Sequence, residues 1–293
     1  MKKCLLIGAG GMLGQYFSQC KLLESWEVLF HRGRTGDGLT ANLSDIDQTY
    51  ALLDKVEPNV IVNLVAATNV DECEKDPLYC YEKNVKVINN VVSWIQDKKS
   101  CSSPYLLNVS TDQVYERSGL GTVGREADVS PLNYYSYSKL LGECAASSVR
   151  GASIRTNFFG KSLHPARKSF SDWVYGRLVS GERFSVFEDV YFSPLSMLTL
   201  CRYLALIIEK QPSGVFNLGS RDGFSKAEFA RVFAQLLGSS YANMESVSID
   251  SKKGLIAKRP YDMRMDVSKF EDYFSIELPS LLEEVKTVVG DYR

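Results

Sequence analysis

The chain has 293 residues, 45% hydrophobic and 24% charged, with 34 Lys plus Arg against 35 Asp plus Glu. That is the make-up of a globular protein with one large or two closely packed domains, and it carries no global field to attract nucleic acid or an anionic membrane. No stretch approaches the roughly 18 uninterrupted apolar residues of a membrane span; seven scattered cysteines without a CxxC pair or a Cys/His cluster exclude a structural zinc site and fit a reducing cytoplasm.

The opening "MKKCLLIGAGGML" has an apolar run interrupted by glycines and reads as a strand and turn, not as a signal peptide. "KCLLIG" is predicted as a strand, "GMLGQYFSQC" as a helix and "EVLFH" as a strand. "SDIDQTYALLDKV" follows as a helix that Ser44 caps, with Asp47 completing a capping box. "NVIVNLV" is a strand, and residues 77–99 form one long helix with Pro77 at its start. "YLLNVS" is the next strand and "LNYYSYSKLLGECAASSV" the next helix. Continuous apolar strands alternating with helices imply a parallel sheet covered on both faces, a doubly wound α/β fold. After "ASIRTNFFG" the rhythm loosens, with helices near 170–180, 197–210 and 225–238. The last of these opens on a capping box, Ser225 with Glu228. A division into residues 1–155 and a smaller α/β domain over 156–293 is expected, segments near 195–218 returning to the first.

The first strand leads into "GAGGMLG", with glycines at 8, 10, 11 and 14. Such a turn permits positive φ, lets the backbone approach a pyrophosphate, and aims a helix N-terminus at the phosphates. The plain alternative is a glycine-rich turn with no ligand. At the end of the second strand the chain reads "VLFHRGRTGDG", with Arg32 and Arg34 and no acid before Asp37. Two guanidiniums suit a 2′-phosphate, so NADP is favoured over NAD, against the alternative of solvated arginines on a surface turn.

Of the three tyrosines in "YYSYSK", residues 134–139, Tyr135 has a lysine, Lys139, four residues on and so on the same helical face, whereas Tyr134 and Tyr137 do not. Tyr79 and Lys83 share the spacing, but no strand-end hydroxyl accompanies them. The strand "YLLNVS" ends in "STDQ", which puts Thr111 (or Ser110) where doubly wound folds have their ligand crevice. A nearby ammonium favours the phenolate of a tyrosine whose ordinary pKa is about 10. Thr111, Tyr135 and Lys139 together are equipment for protonating an alkoxide as hydride reaches its carbon.

The segments "GAGGMLG", "NLVAATNVDECEKDP", "NVSTDQV", "PLNYYSYSKLLGE", "IRTNFFG", "GVFNLGS" and "RPYDMRMDVSKF" resemble the extended short-chain dehydrogenase/reductase family over nearly the whole chain. Length and C-terminal pattern are most similar to its dTDP-4-dehydrorhamnose reductase group. The resemblance implies a Rossmann domain and a smaller domain gripping a nucleotide sugar. It implies that Thr111, Tyr135 and Lys139 are catalytic, and that Gly8, Gly10, Gly11, Met12, Leu13, Gly14, Arg32, Arg34, Ala66, Ala67 and Asn84 surround NADPH, which Tyr135 and Lys139 also touch. At the substrate it implies Thr68, Asn69, Val70, Ser110, Asp112, Asn157 and Arg259. Lys161 and Arg221 are further candidates for a diphosphate, and a structural ion pair of Arg259 with Asp262 or Asp266 is the alternative to its phosphate role.

Some members of the group hold magnesium through an acidic residue soon after the turn; "GQYFSQ" here lacks one, so no metal is expected. The expected activity is NADPH-dependent reduction of a 4-keto nucleotide-linked deoxysugar, as in surface-polysaccharide biosynthesis, by a cytoplasmic monomer or homodimer. An epimerase or a dehydratase on the same scaffold (Asp112 supplying the acid), or a non-catalytic NADP-binding regulatory subunit, are the alternatives.

Overall fold

The computed structural model describes residues 1–33, 38–98, 103–116, 124–252 and 254–293. Its elements run β1 (Lys2–Ile7), α1 (Met12–Cys20), β2 (Trp26–His31), α2 (Ile46–Val56), β3 (Val60–Asn63), α3 (Val70–Lys75), α4 (Pro77–Tyr81), α5 (Val87–Asp97), β4 (Tyr105–Val109), α6 (Tyr134–Ala146), β5 (Gly151–Thr156) and β6 (Phe158–Phe159). They continue with α7 (Phe170–Ser180), β7 (Phe184–Phe187), β8 (Tyr191–Phe192), β9 (Leu195–Ser196), α8 (Met197–Lys210), β10 (Gly214–Leu218), β11 (Phe224–Ser225), α9 (Lys226–Leu237), β12 (Met244–Val247), α10 (Ser268–Phe274) and α11 (Leu281–Val289).

Six strands form one sheet in the order β2-β1-β3-β4-β5-β10, and the pairs from β2 through β5 are parallel. β3 and β4 are buried at every position, which is why they read as unbroken apolar runs and not as alternating ones. From β1 the chain steps to β2 on one side and to β3 on the other. The C-terminal ends of β1 and β3 thus flank the crevice where doubly wound sheets take their ligands. Polar side chains cross the buried sheet there in a satisfied row. Asn63 donates to Asn108 at 3.0 Å, Asn108 donates to Ser153 at 3.2 Å, and the Asn63 side-chain Oδ1 accepts from the Val65 amide at 3.1 Å. With every partner present the row fixes the exit of β3 without an unpaired buried group.

The chain divides into two compact units, one of residues 1–111, 133–155 and 201–215, the other of 112–132, 156–200 and 216–293. The stretch 112–132, assigned above to the first domain, groups with the second. The first unit packs α2, α5 and α6 on the sheet through Leu52, Leu53, Val91, Trp94, Ile95 and Ala146. The core of the second is aromatic, with Phe159 set edge-on to Phe229 at 4.9 Å. Its helices α7, α9 and α11 each begin with a reciprocal capping box, Ser169 with Asp172, Ser225 with Glu228 and Ser280 with Glu283.

Two local expectations are corrected. Asp45, not Ser44, caps α2, accepting from the Gln48 amide; the Ser44 hydroxyl instead donates to the Glu82 carbonyl at 3.1 Å. The single helix expected over 77–99 is α4 and α5 joined by a π turn over Glu82–Lys86, with the separate short helix α3 before them. The extra residue in that turn carries the buried Asn84 inward, against α6. A Cβ on Gly142 of α6 would lie 3.0 Å from the Asn84 carbonyl oxygen, so a side chain there would press on the π turn.

Candidate active site

The glycine turn is shaped by contacts that exclude any side chain. Gly8 has φ +82°, and a Cβ there would lie 2.7 Å from the Val65 nitrogen; at Gly14 it would lie 2.4 Å from the Ala9 Cα. Helix α1 therefore packs directly on the end of β1. Gly11 is its N-cap, no side chain caps it and its first turn carries no acid, which leaves the amides of Met12 and Leu13 directed as an anion site requires. A Cβ on Gly10 would meet the Arg32 carbonyl at 2.9 Å, so the turn abuts the end of β2. Arg32 is exposed there, where a 2′-phosphate is expected; Arg34 lies outside the described residues.

His31, which sequence reasoning passed over, holds this turn. It is 3% exposed. Its Nε2 is 3.0 Å from the Ala41 carbonyl, which can only accept, so Nε2 carries the proton and Nδ1 accepts the Gly8 amide at 3.5 Å. Burial lowers its pKa, outweighing hydrogen bonds to Ala41 and Gly33 that raise it. Its signal in the sequence was slight, one of only two histidines, at a strand end. Because the folded chain binds a proton here less readily than the unfolded one, stability is complete above the ordinary histidine pKa of about 6.5 and is lost as pH falls below it. Thermal unfolding followed from pH 8 to pH 5 is expected to show a decline that His31→Gln, which keeps a donor and an acceptor but cannot titrate, reduces.

The β3 exit loop carries Ala66 and the buried Ala67. Asn84 clamps Ala67 on both sides, accepting from its amide at 2.7 Å and donating to its carbonyl at 3.2 Å, and also donates to Ser138 of α6 at 2.8 Å. Asn84 thus positions the loop, all of its amide atoms being engaged in the protein. Beyond the loop Thr68 is exposed, Asn69 caps α3 and Val70 is buried at that helix's start.

Helix α6 begins with the Asn133–Ser136 capping box. Tyr135 is 7% exposed, whereas Tyr134 and Tyr137 are 50% and 53% exposed. One turn on, Lys139 is buried and its ammonium donates to the Val109 carbonyl at 2.7 Å, at the end of β4 and two residues before the buried Thr111. Burial pushes the Lys139 pKa down to about 8, opposed by the charges of Glu143 and Cys80. Ser110 donates its hydroxyl to Glu143, and Arg155 of β5 binds the same carboxylate, Nε at 3.0 and 3.1 Å to its two oxygens and Nη2 at 2.6 Å. Tyr79, the tyrosine of the rival pair, is 40% exposed.

In the second unit, Asn157 donates to Asp112 at 2.6 Å, so these two predicted substrate residues meet. Lys226, unforeseen, puts its ammonium 3.2 Å from the centroid of Phe192 and 4.6 Å from that of Phe170. Burial pushes its pKa down to about 7, against the opposing charge of Asp112. Arg259 lines a cavity of about 480 Å³ with Glu116, Asp250, Lys258 and Tyr261. Glu116 accepts from the Tyr261 amide at 2.9 Å, and the Tyr261 hydroxyl donates to Asp250 at 2.6 Å. Of the two acids considered as ion-pair partners for Arg259, Asp262 is bound by Arg264 at 2.6 Å and Asp266 lies 3.6 Å from Arg125; Arg259 itself donates to the Ala257 carbonyl at 3.2 Å. Two other phosphate candidates are engaged within the protein, Arg221 with Glu277, and Lys161 with the Asp291 carbonyl at 2.6 Å. Among the described residues no group of three or more His, Cys, Asp or Glu is placed to hold a metal, and no helix is long and apolar enough to cross a membrane.

Comparison with known proteins gives the same architecture. A dTDP-4-dehydrorhamnose reductase of Aggregatibacter actinomycetemcomitans is 26% identical over 94% of this chain and 95% of its own. The crystal structure of a hypothetical dTDP-4-dehydrorhamnose reductase from Sulfolobus tokodaii superposes with a TM-score of 0.83 at 29% identity, covering 97% and 99% of the two chains. That of the Bacillus anthracis reductase in complex with NADP has a TM-score of 0.85 at 22% identity, covering 99% of each. The family model described as the RmlD substrate binding domain matches residues 1–293. From the glycine turn to the last helix, then, the chain belongs to the RmlD substrate binding domain family.

Proposed function

We propose that the protein is an NADPH-dependent reductase of the 4-keto group of a nucleotide-linked deoxysugar. The observation that carries this is the placing of Lys139, buried, bonded to the end of β4 and one helical turn from the only buried tyrosine of "YYSYSK". The relatives named as reductases of dTDP-linked keto sugars, and the NADP in one related structure, support the substrate class and the cofactor.

The amides that open α1 would hold the pyrophosphate of NADPH and Arg32 its 2′-phosphate; bound there, the cofactor would supply the hydride. Tyr135 donates a proton to the sugar oxygen, Thr111 holds that oxygen by its hydroxyl, and Lys139 stabilises the phenolate that Tyr135 becomes. Ala66 and Ala67 give the cofactor a smooth wall that Asn84 keeps in place. Asp112 and Asn157, which meet in the second unit, are the candidates there for recognising the sugar, and Arg259 in its cavity is the candidate for the diphosphate, bidentate contact to phosphate being the particular strength of a guanidinium.

NADPH consumption followed by nicotinamide absorbance across 4-keto nucleotide sugars tests the assignment. An epimerase or a dehydratase would convert its sugar without net loss of NADPH, and a regulatory subunit would bind the cofactor and consume none. For the cofactor, NADPH is expected to bind more tightly than NADH, and Arg32→Ala to narrow the difference, a charge-assisted hydrogen bond contributing about 1.5–3 kcal/mol. Equal dissociation constants for the two cofactors in the unaltered protein would remove Arg32 from the site.

A further inference from the structure

Glu143 follows Lys139 by four residues on α6, so the two side chains share a helical face. Its carboxylate is 4% exposed, yet it gathers donors from two strands, the Ser110 hydroxyl beyond β4 and the guanidinium of Arg155 on β5. The residue before Ser110 is Val109, whose carbonyl takes the Lys139 ammonium. One carboxylate therefore binds α6, β4 and β5 together at the point where Lys139 meets the sheet. For packing alone this is a costly solution, since buried ion pairs are often replaceable by apolar residues without loss of stability. What the pair adds is a fixed field. The other groups that favour the charge of Lys139 are the Val109 carbonyl, which accepts from it at 2.7 Å, and Cys80.

We propose, on the assignment of Lys139 to catalysis made above, that Glu143 and Arg155 are positioning residues which set the charge of Lys139: the carboxylate keeps Lys139 an ammonium at working pH, and Arg155 limits that effect by neutralising the carboxylate. Two substitutions at one ion pair should then act in opposite directions. Glu143→Gln keeps an acceptor for Ser110 but removes the anion, so Lys139 loses its proton at lower pH. Arg155→Gln leaves the anion unneutralised, so Lys139 keeps its proton to higher pH. Simple damage to the fold would move both the same way.

The test is the pH dependence, from pH 6 to 10, of the NADPH dissociation constant of the protein without substrate, by quenching of tryptophan fluorescence, with single-turnover hydride transfer measured alongside. The unaltered protein is expected to lose affinity and rate along an alkaline limb. Glu143→Gln should shift that limb down by about one pH unit, the lower end of the effect of an opposite charge within about 4–6 Å. Arg155→Gln should shift it up, and Arg155→Lys should return it to the parental position. Because a lone buried charge can unfold the chain, the paired replacement Glu143→Leu with Arg155→Leu serves as a second variant, expected to shift the limb down by less than Glu143→Gln. Shifts of one sign in Glu143→Gln and Arg155→Gln, or an unmoved limb in all variants, would overturn the proposal. In Lys139→Met the limb should vanish; if that variant instead binds and turns over normally with the parental limb, the catalytic assignment itself fails and the proposal with it.

Discussion

Tyr135→Phe should lower kcat by about 10²–10⁴-fold while leaving the fold and NADPH affinity intact, the span that proton transfer by a positioned group typically contributes. That corresponds to about 3–5 kcal/mol of transition-state stabilisation. The substitution removes one oxygen and keeps the ring, so the 7% exposed site is neither emptied nor strained. The flanking tyrosines are internal controls. Tyr134 and Tyr137 point to solvent and have Ser138 and Leu141 at the offset where Tyr135 has Lys139; Tyr134→Phe and Tyr137→Phe should stay within threefold of the parent. The check is single-turnover NADPH oxidation with a 4-keto nucleotide sugar that the unaltered protein reduces. Near-normal turnover in Tyr135→Phe with loss in either neighbour would assign the proton to the wrong tyrosine.

Lys139→Met should weaken NADPH binding by at least about tenfold, as expected for one charge-assisted hydrogen bond, and depress kcat as well. Two effects are expected of one side chain because the proposed mechanism assigns one ammonium to both the cofactor and the phenolate. Its own partner in the protein is a main-chain carbonyl, and Glu143 retains Arg155 when Lys139 is gone, so no buried charge is orphaned. Equilibrium binding and single-turnover rates measured on the same preparation separate the two effects. A lowered rate with unchanged NADPH affinity would confine Lys139 to the chemical step.

The sheet was legible because burial on both faces writes itself as unbroken apolar runs, as in "VIVN" and "YLLNV". The glycine turn was legible because contacts of 2.4–2.7 Å to a Cβ permit only glycine at 8 and 14. Helix periodicity did not reveal the π turn at 82–86, since the residue buried in it, Asn84, is polar and bonds Ala67 and Ser138, which belong to distant segments. Ser44 and Asp45 are both good caps, and local sequence does not choose between them; the Glu82 carbonyl does, by drawing the serine away. At the candidate site Lys139 declared itself by spacing from Tyr135. Glu143 had the same spacing from Lys139, but its meaning depended on Arg155 and Ser110 arriving from two strands. Lys226 was hidden behind its own neighbours, since the Ser225–Glu228 capping box accounts for the start of α9 without it.

Hydride transfer to a sugar carbon is the most direct test of the central claim. The protein is incubated with a dTDP-linked 4-keto-6-deoxysugar and NADPH deuterated at the transferring position of the nicotinamide, and the product is analysed by mass spectrometry and NMR. A 4-keto reductase gives a sugar heavier by one deuterium, located at C4, with one NADPH oxidised per sugar reduced. An unlabelled product of changed configuration, or a cofactor that is bound and never oxidised across the 4-keto nucleotide sugars supplied, would contradict it.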